Sequence, residues 1–214
     1  LVFSLGLSAG AMLYVSFVEL LNSAISDLGF FTANMSFIAG ILVMLAVGRV
    51  THVCVGRERN TAGHGESLYS TGKIVAIGIA IHNFPEGLAV FVSASANIKL
   101  GVSLAIAIAL HNIPEGIAIA APIYYSTKSR KKAFWASFFS GMAEPVGALA
   151  GFFLLSSWLN QQLIAILLAF VAGIMVFICF DKLLPKSFEK SGSHSYAIFG
   201  ILFGMLMMFL SLSI

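Results

Sequence analysis

The sequence predicts an all-α fold, a polytopic bundle of membrane-spanning helices. Three observations carry this expectation. Of 214 residues, 59% are hydrophobic and only 10% charged, with a mean hydropathy of +0.97, well beyond what a soluble core of this size requires. The apolar residues fall into runs of the roughly 20 residues that a spanning helix needs. The basic residues lie between those runs, so the net charge of +3 reports topology and does not point to nucleic acid; the expected environment is the lipid bilayer.

Seven runs are read as helices, at about 1–22, 30–50, 73–95, 100–122, 133–157, 161–184 and 195–214. Together they form a single transmembrane domain, 1–214. The first run is already under way at Leu1, as expected of a chain lacking a preceding helix; with that helix the count would be eight. Between the second and third runs, Thr51 to Gly72 (about 51–72) holds Arg57, Glu58, Arg59, Asn60, Gly63, His64, Gly65 and Ser70 and reads as a flexible polar cytoplasmic linker. His52 and His64 in it read as solvated residues. Cys54 and Cys179 lack a CxxC partner, so neither a disulfide nor a thiolate metal site is expected.

Lysine and arginine set the orientation. Arg49, Arg57, Arg59 and Lys73 flank or fill the second connection. Lys128, Arg130, Lys131 and Lys132 fill the fourth, and Lys182, Lys186 and Lys190 the sixth. These are eleven of the twelve basic residues; the remaining one is Lys99. The positive-inside rule places the three basic connections in the cytoplasm. The first run then starts inside and the seventh ends outside. Gly6/Gly10, Gly147/Gly151 and Gly200/Gly204 have the spacing that lets helix backbones approach in lipid, and read as bundle packing.

Four acids, Glu19, Glu86, Glu115 and Glu144, fall within the runs, and no lysine or arginine lies near the middle of any run. A buried carboxylate must be protonated, paired or bound to a cation. With no basic side chain at hand, the choice is a proton or a metal ion. Asp181, beside Lys182 near the end of the sixth run, reads instead as a solvated helix end.

His82-Asn83-Phe84-Pro85-Glu86-Gly87 and His111-Asn112-Ile113-Pro114-Glu115-Gly116 are one hexapeptide written twice, 29 residues apart. On a helix, residues three and four apart are neighbours. Glu86 therefore meets both His82 and Asn83, and Glu115 meets both His111 and Asn112. Two such helices face to face could hold two divalent metal ions bridged by the carboxylates. The histidine position suits zinc or another borderline ion, and the asparagine position, with oxygen donors only, should be less selective. Pro85 and Pro114 remove the bonds to the carbonyls of Ile81 and Leu110. Such freed backbone at membrane depth is tolerated where protein or a cavity satisfies it. Counted from Lys73, His82 and Glu86 lie roughly 13 and 20 Å deep, so both motifs straddle the midplane, as in an inverted repeat around a central substrate site. The fifth run adds Glu144 with Ser140 and Ser137 on successive turns before it. The first adds Met12, Ser16 and Glu19; Met12 judged alone reads as core filler.

The two hexapeptides, Gly141-Met142-Ala143-Glu144 and Ser8-Ala9-Gly10-Ala11-Met12 resemble the ZIP family of divalent-metal transporters, over nearly the whole chain. The resemblance implies eight helices with both ends outside and a binuclear centre. One metal would use His82, Glu86, His111 and Glu115, with Met12 nearby. The second would use Asn83, Glu86, Asn112, Glu115 and Glu144. Glu19 would lie on the transport path. The cargo implied is Zn2+, with Fe2+, Mn2+, Cd2+ and Co2+ admitted, imported into the cytoplasm across a bacterial inner membrane. No resident cofactor, no enzymatic activity and no nucleic-acid partner are expected, and the assembly considered is a homodimer. Two other classes compete. An intramembrane metal-dependent hydrolase or oxidase would need an open metal position and a general base, yet no HExxH is present. A proton-coupled carrier of an organic substrate would need a roomy pocket in place of His and Asn beside each Glu.

Overall fold

The structure is a computed structural model that describes residues 1–55, 64–96, 98–155, 160–189 and 194–212. Among these the backbone is helical almost throughout and no strand forms. α1 (Val2–Tyr14) passes through a π-helical stretch (Val15–Leu20) into α2 (Leu21–Leu28). Gly29, at φ 78° and ψ 161°, ends it; only glycine enters that region without strain. α3 (Phe30–Val55), α4 (His64–Ala96) and α5 (Ile98–Thr127) follow. α6 (Arg130–Gly141) is separated from α7 (Ala143–Ala150) by Met142, and α7 runs on into a second π-helical stretch (Gly151–Leu155). α8 (Gln161–Ile178), a third π-helical stretch (Cys179–Leu183) and α9 (Leu184–Phe188) form one rod, and α10 (His194–Leu212) closes the chain.

Val2–Leu28, Leu68–Phe91, Gln161–Phe188 and His194–Leu212 are long and apolar enough to cross a membrane. The exterior agrees. Phe30, Phe153 and Phe199 are 73%, 71% and 63% exposed, and a surface of that kind belongs in hydrocarbon. The chain is an integral membrane protein.

Several helices are longer than the apolar runs that predict them. α1–α2 extends to Leu28 instead of 22, α5 to Thr127 instead of 122, and α4 begins at His64 instead of 73. Hydropathy marks the part of a helix that lies in hydrocarbon, whereas the helix itself continues wherever its next turn packs. Leu68 and Thr71, expected in the linker, are buried against the bundle. Of that linker, 56–63 and the side chains of His52, Cys54 and His64 lie outside the described residues.

The short α5–α6 connection is built locally. Lys128 takes a left-handed φ of 54°, and its N–H closes the last turn on the Tyr124 carbonyl at 2.7 Å. The Ser129 hydroxyl then caps α6 by accepting the Lys132 N–H at 3.3 Å. The Asn160 side chain caps α8 by accepting the Leu163 N–H at 2.8 Å.

The α1–α2 and α8–α9 rods sit at the centre, 67% and 61% of their apolar windows being buried, against 22% for α10. Met12, Met44, Ile119, Ile174 and Met175 belong to one buried apolar cluster. Glycine sets how closely the helices approach. Gly6 and Gly10 of α1 lie on the α10 backbone at Ala197 and Ile201; Gly200 and Gly204 lie on the α1 backbone at Phe3 and Leu7. The two small-residue pairs at opposite ends of the sequence are thus the two halves of one crossing, edged by Phe3 with its ring centroid 6.2 Å from those of Phe199 and Phe203.

Candidate metal centre

α4 and α5 pack along one another and bring the hexapeptides into the interior. Asn83 and Glu86 on α4 are 2% and 1% exposed, and Glu115 on α5 is 2% exposed. Among the described residues, Glu86 and Glu115 are the charged side chains that are fully buried, and neither lysine nor arginine joins them. Such acids are held by proton, hydrogen bond or cation. His82 and His111 fall one turn before these acids on the same helices, and their side chains lie outside the described residues.

α7 supplies a third wall. Pro145 has no N–H for the Gly141 carbonyl, and the helix breaks at Met142. The restart puts Glu144 in the first turn of α7, where the helix dipole favours a carboxylate. The Asn112 Nδ2 donates to Glu144 Oε2 at 2.5 Å, joining α5 to α7. The Oδ1 of the same amide is buried and accepts no hydrogen bond from the described residues, so its lone pairs remain available as an oxygen donor to a cation.

Hydroxyl groups hold the α5 backbone on either side of Glu115. The Ser8 Oγ of α1 donates to the Pro114 carbonyl at 2.6 Å, and the Ser137 Oγ of α6 donates to the Gly116 carbonyl at 2.9 Å. Ser140 Oγ ties α6 to α4 through the Ala76 carbonyl at 2.7 Å. Around Glu86 the anchoring is different. Gly87 abuts the Glu144 carbonyl, and Gly147 of α7 abuts the Phe84 carbonyl, so the two backbones touch with no side chain between them.

The other predicted residues sit further off along α1. Met12 is buried in the central apolar cluster, its carbonyl accepting from Ser16 Oγ at 2.7 Å. Glu19 is partly buried in the π-helical stretch Val15–Leu20, a distortion frequent at functional sites. Asp181 is exposed, 2.7 Å from the Lys182 ammonium. Among the described residues, no three His, Cys, Asp or Glu side chains gather closely enough to hold an ion. The structure therefore brings together Asn112 and Glu144, and buries Asn83, Glu86 and Glu115 on the facing helices.

Neither the α6–α7 break nor the Ser8 and Gly87 anchors follow from the motif spacing. Pro145 was the available signal for the break. The anchors depend on which helix lies opposite.

The fold and this buried polar centre define a helical integral membrane protein with oxygen and amide donors gathered in its interior. The family described as ZIP Zinc transporter matches residues 55–212. The zinc transporter ZupT of Chlorobium chlorochromatii (strain CaD3) is 45% identical over 229 residues, covering 99% of this chain and 85% of the relative. That of Chlorobium phaeovibrioides (strain DSM 265 / 1930) is 48% identical with the same coverage. That of Clostridium perfringens (strain 13 / Type A) is 42% identical over 98% of this chain and 83% of its own length. The chain belongs to the ZIP zinc transporter family, and so to transporters and not to enzymes.

Proposed function

We propose that this protein carries zinc, and with it other divalent ions such as Fe2+, Mn2+, Cd2+ and Co2+, into the cytoplasm by alternating access through a binuclear site at the membrane midplane. The observation that carries the reading is the burial of two carboxylates, Glu86 and Glu115, with an Asn112–Glu144 pair on the neighbouring wall. The names of the relatives, zinc transporters, support zinc as cargo. One ion takes His82, His111, Glu86 and Glu115, with Met12 close by. The other takes Asn83, Asn112, Glu144 and the same two carboxylates. Glu19 lies on the ion path. The proposed bundle has seven spans here, with the motif helices antiparallel; the contact of Gly72 near the start of α4 with Ile123 near the end of α5 supports that direction. The membrane is a bacterial inner membrane, with the basic connections in the cytoplasm.

The chemistry follows from the donors. Binding replaces the ion's hydration shell by two shared carboxylates. Release into the cytoplasm requires that these ligands separate as the site opens to that side. The deciding experiment is zinc uptake into proteoliposomes. Glu86→Ala and Glu115→Ala should each abolish uptake and lower metal occupancy at both positions. Near-normal uptake by Glu86→Ala would end the bridging model.

A further inference from the structure

At the end of the bundle that carries the basic α5–α6 connection, a groove of about 270 Å3 opens between α4, α5 and α6. Its floor is apolar, made by Ala76, Ile77 and Ile123, and its rim carries Lys73, Lys132 and Tyr69. Among the described residues no carboxylate lines it. The Lys73 ammonium stands 4.4 Å from the centroid of the Tyr69 ring, a cation–π contact that fixes it at the rim. Lys132 is held in the first turn of α6 by its backbone bond to Ser129. Both lysines are exposed, as is Ile77 at 50%, so the groove opens outward and is separate from the buried acids.

We propose that this groove binds an anionic phospholipid, the phosphate between Lys73 and Lys132 and the upper acyl chain along Ile77. Three features favour a lipid over a free phosphate. The floor is hydrocarbon-like and offers the anion no further donor. The groove lies at the border of the span Leu68–Phe91, where headgroups sit. One turn beyond Lys132, the 42% exposed Trp135 stands where interfacial aromatics concentrate. Basic pockets between helices at that level suit anionic headgroups. The bound lipid would bridge the helix carrying Glu86, the helix carrying Glu115 and the helix leading to Glu144.

The test uses the full chain with Trp158→Phe, so that Trp135 reports alone, in phosphatidylcholine vesicles containing brominated phosphatidylglycerol or, separately, brominated phosphatidylcholine. Brominated phosphatidylglycerol should quench Trp135 more strongly at equal mole fraction. Lys73→Gln/Lys132→Gln should weaken its apparent affinity by about fivefold per lysine and bring quenching to the phosphatidylcholine level. Ile77→Phe, which fills the groove and keeps both charges, should do the same, and decides the matter if the double variant does not fold. Equal quenching by the two lipids in the parent chain overturns the proposal. So does a phosphatidylglycerol preference that survives both variants, and so does its full displacement by millimolar inorganic phosphate, which would make the groove a soluble-anion site.

Discussion

The two hexapeptides share five of six residues in order, and the protein holds them by different means. The α4 copy is locked by backbone against backbone: Gly87 on the Glu144 carbonyl, Gly147 on the Phe84 carbonyl. The α5 copy is held by hydroxyls, Ser8 on Pro114 and Ser137 on Gly116, and a Cβ at Gly116 would meet no atom of the described residues within 4 Å. Asn83 is fully buried whereas Asn112 is partly exposed and bonded to Glu144. A repeated motif thus fixes the donor set, while its neighbours decide how firmly each half is gripped. The contact at Gly87 is steric and tolerates no added atom. The contacts around Glu115 are hydrogen bonds, each of which can be deleted with little loss of packing.

The largest effect should come from Gly87→Leu. Its side chain has to displace α7, and overpacking of this kind costs about 1–3 kcal/mol or more; the melting temperature in detergent should fall and zinc uptake should be lost. A Gly87→Leu protein with parental stability would show that the α4–α7 crossing is loose. Asn112→Ala comes next. Removing the partner of Glu144 costs about 1 kcal/mol and should reduce metal occupancy while leaving the fold intact. Unchanged occupancy, measured by anomalous scattering, would take Asn112 out of the ligand set. Ser8→Ala and Ser137→Ala should each cost about 0.6 kcal/mol, the usual worth of a hydrogen bond between membrane helices. Their double variant should lose more uptake than stability, because it frees the backbone that carries Glu115. Gly116→Ala is the smallest: the open space there predicts no loss, and helix propensity predicts a gain of up to about 1 kcal/mol. Destabilisation by Gly116→Ala equal to that by Gly87→Ala would erase the difference between the two copies.

Much of this was readable from the chain. The hexapeptides could be placed in helix interiors because apolar runs surround them, and Glu86 and Glu115 are indeed buried there. Gly6, Gly10, Gly200 and Gly204 could be read as packing surfaces, but not as each other's partners, since spacing within one helix says nothing about which helix lies opposite. The π-helical stretches at Val15–Leu20 and Cys179–Leu183 left no mark in the sequence. An i→i+5 turn is a rare local bulge inside an α-helix, and hydropathy runs do not mark it. The break at Met142 falls inside the run read as one helix, 133–157; its physical cause is Pro145, whose missing N–H leaves the Gly141 carbonyl without its helical bond. The hydroxyl anchors of Ser8 and Ser137 depend on tertiary contacts across 106 and 21 residues and could not be read locally.

The α1–α10 seam also sets a clock. Gly6 and Gly10 lie on the α10 backbone at Ala197 and Ile201, yet the ribosome reaches that stretch roughly 190 residues later, which at about 5–20 residues per second is on the order of ten to forty seconds. For that interval the glycine face of α1 stands without its partner in the bilayer. Any nascent helix with a small-residue face could occupy it, so the arrival of α10 is what commits α1 to its final neighbour.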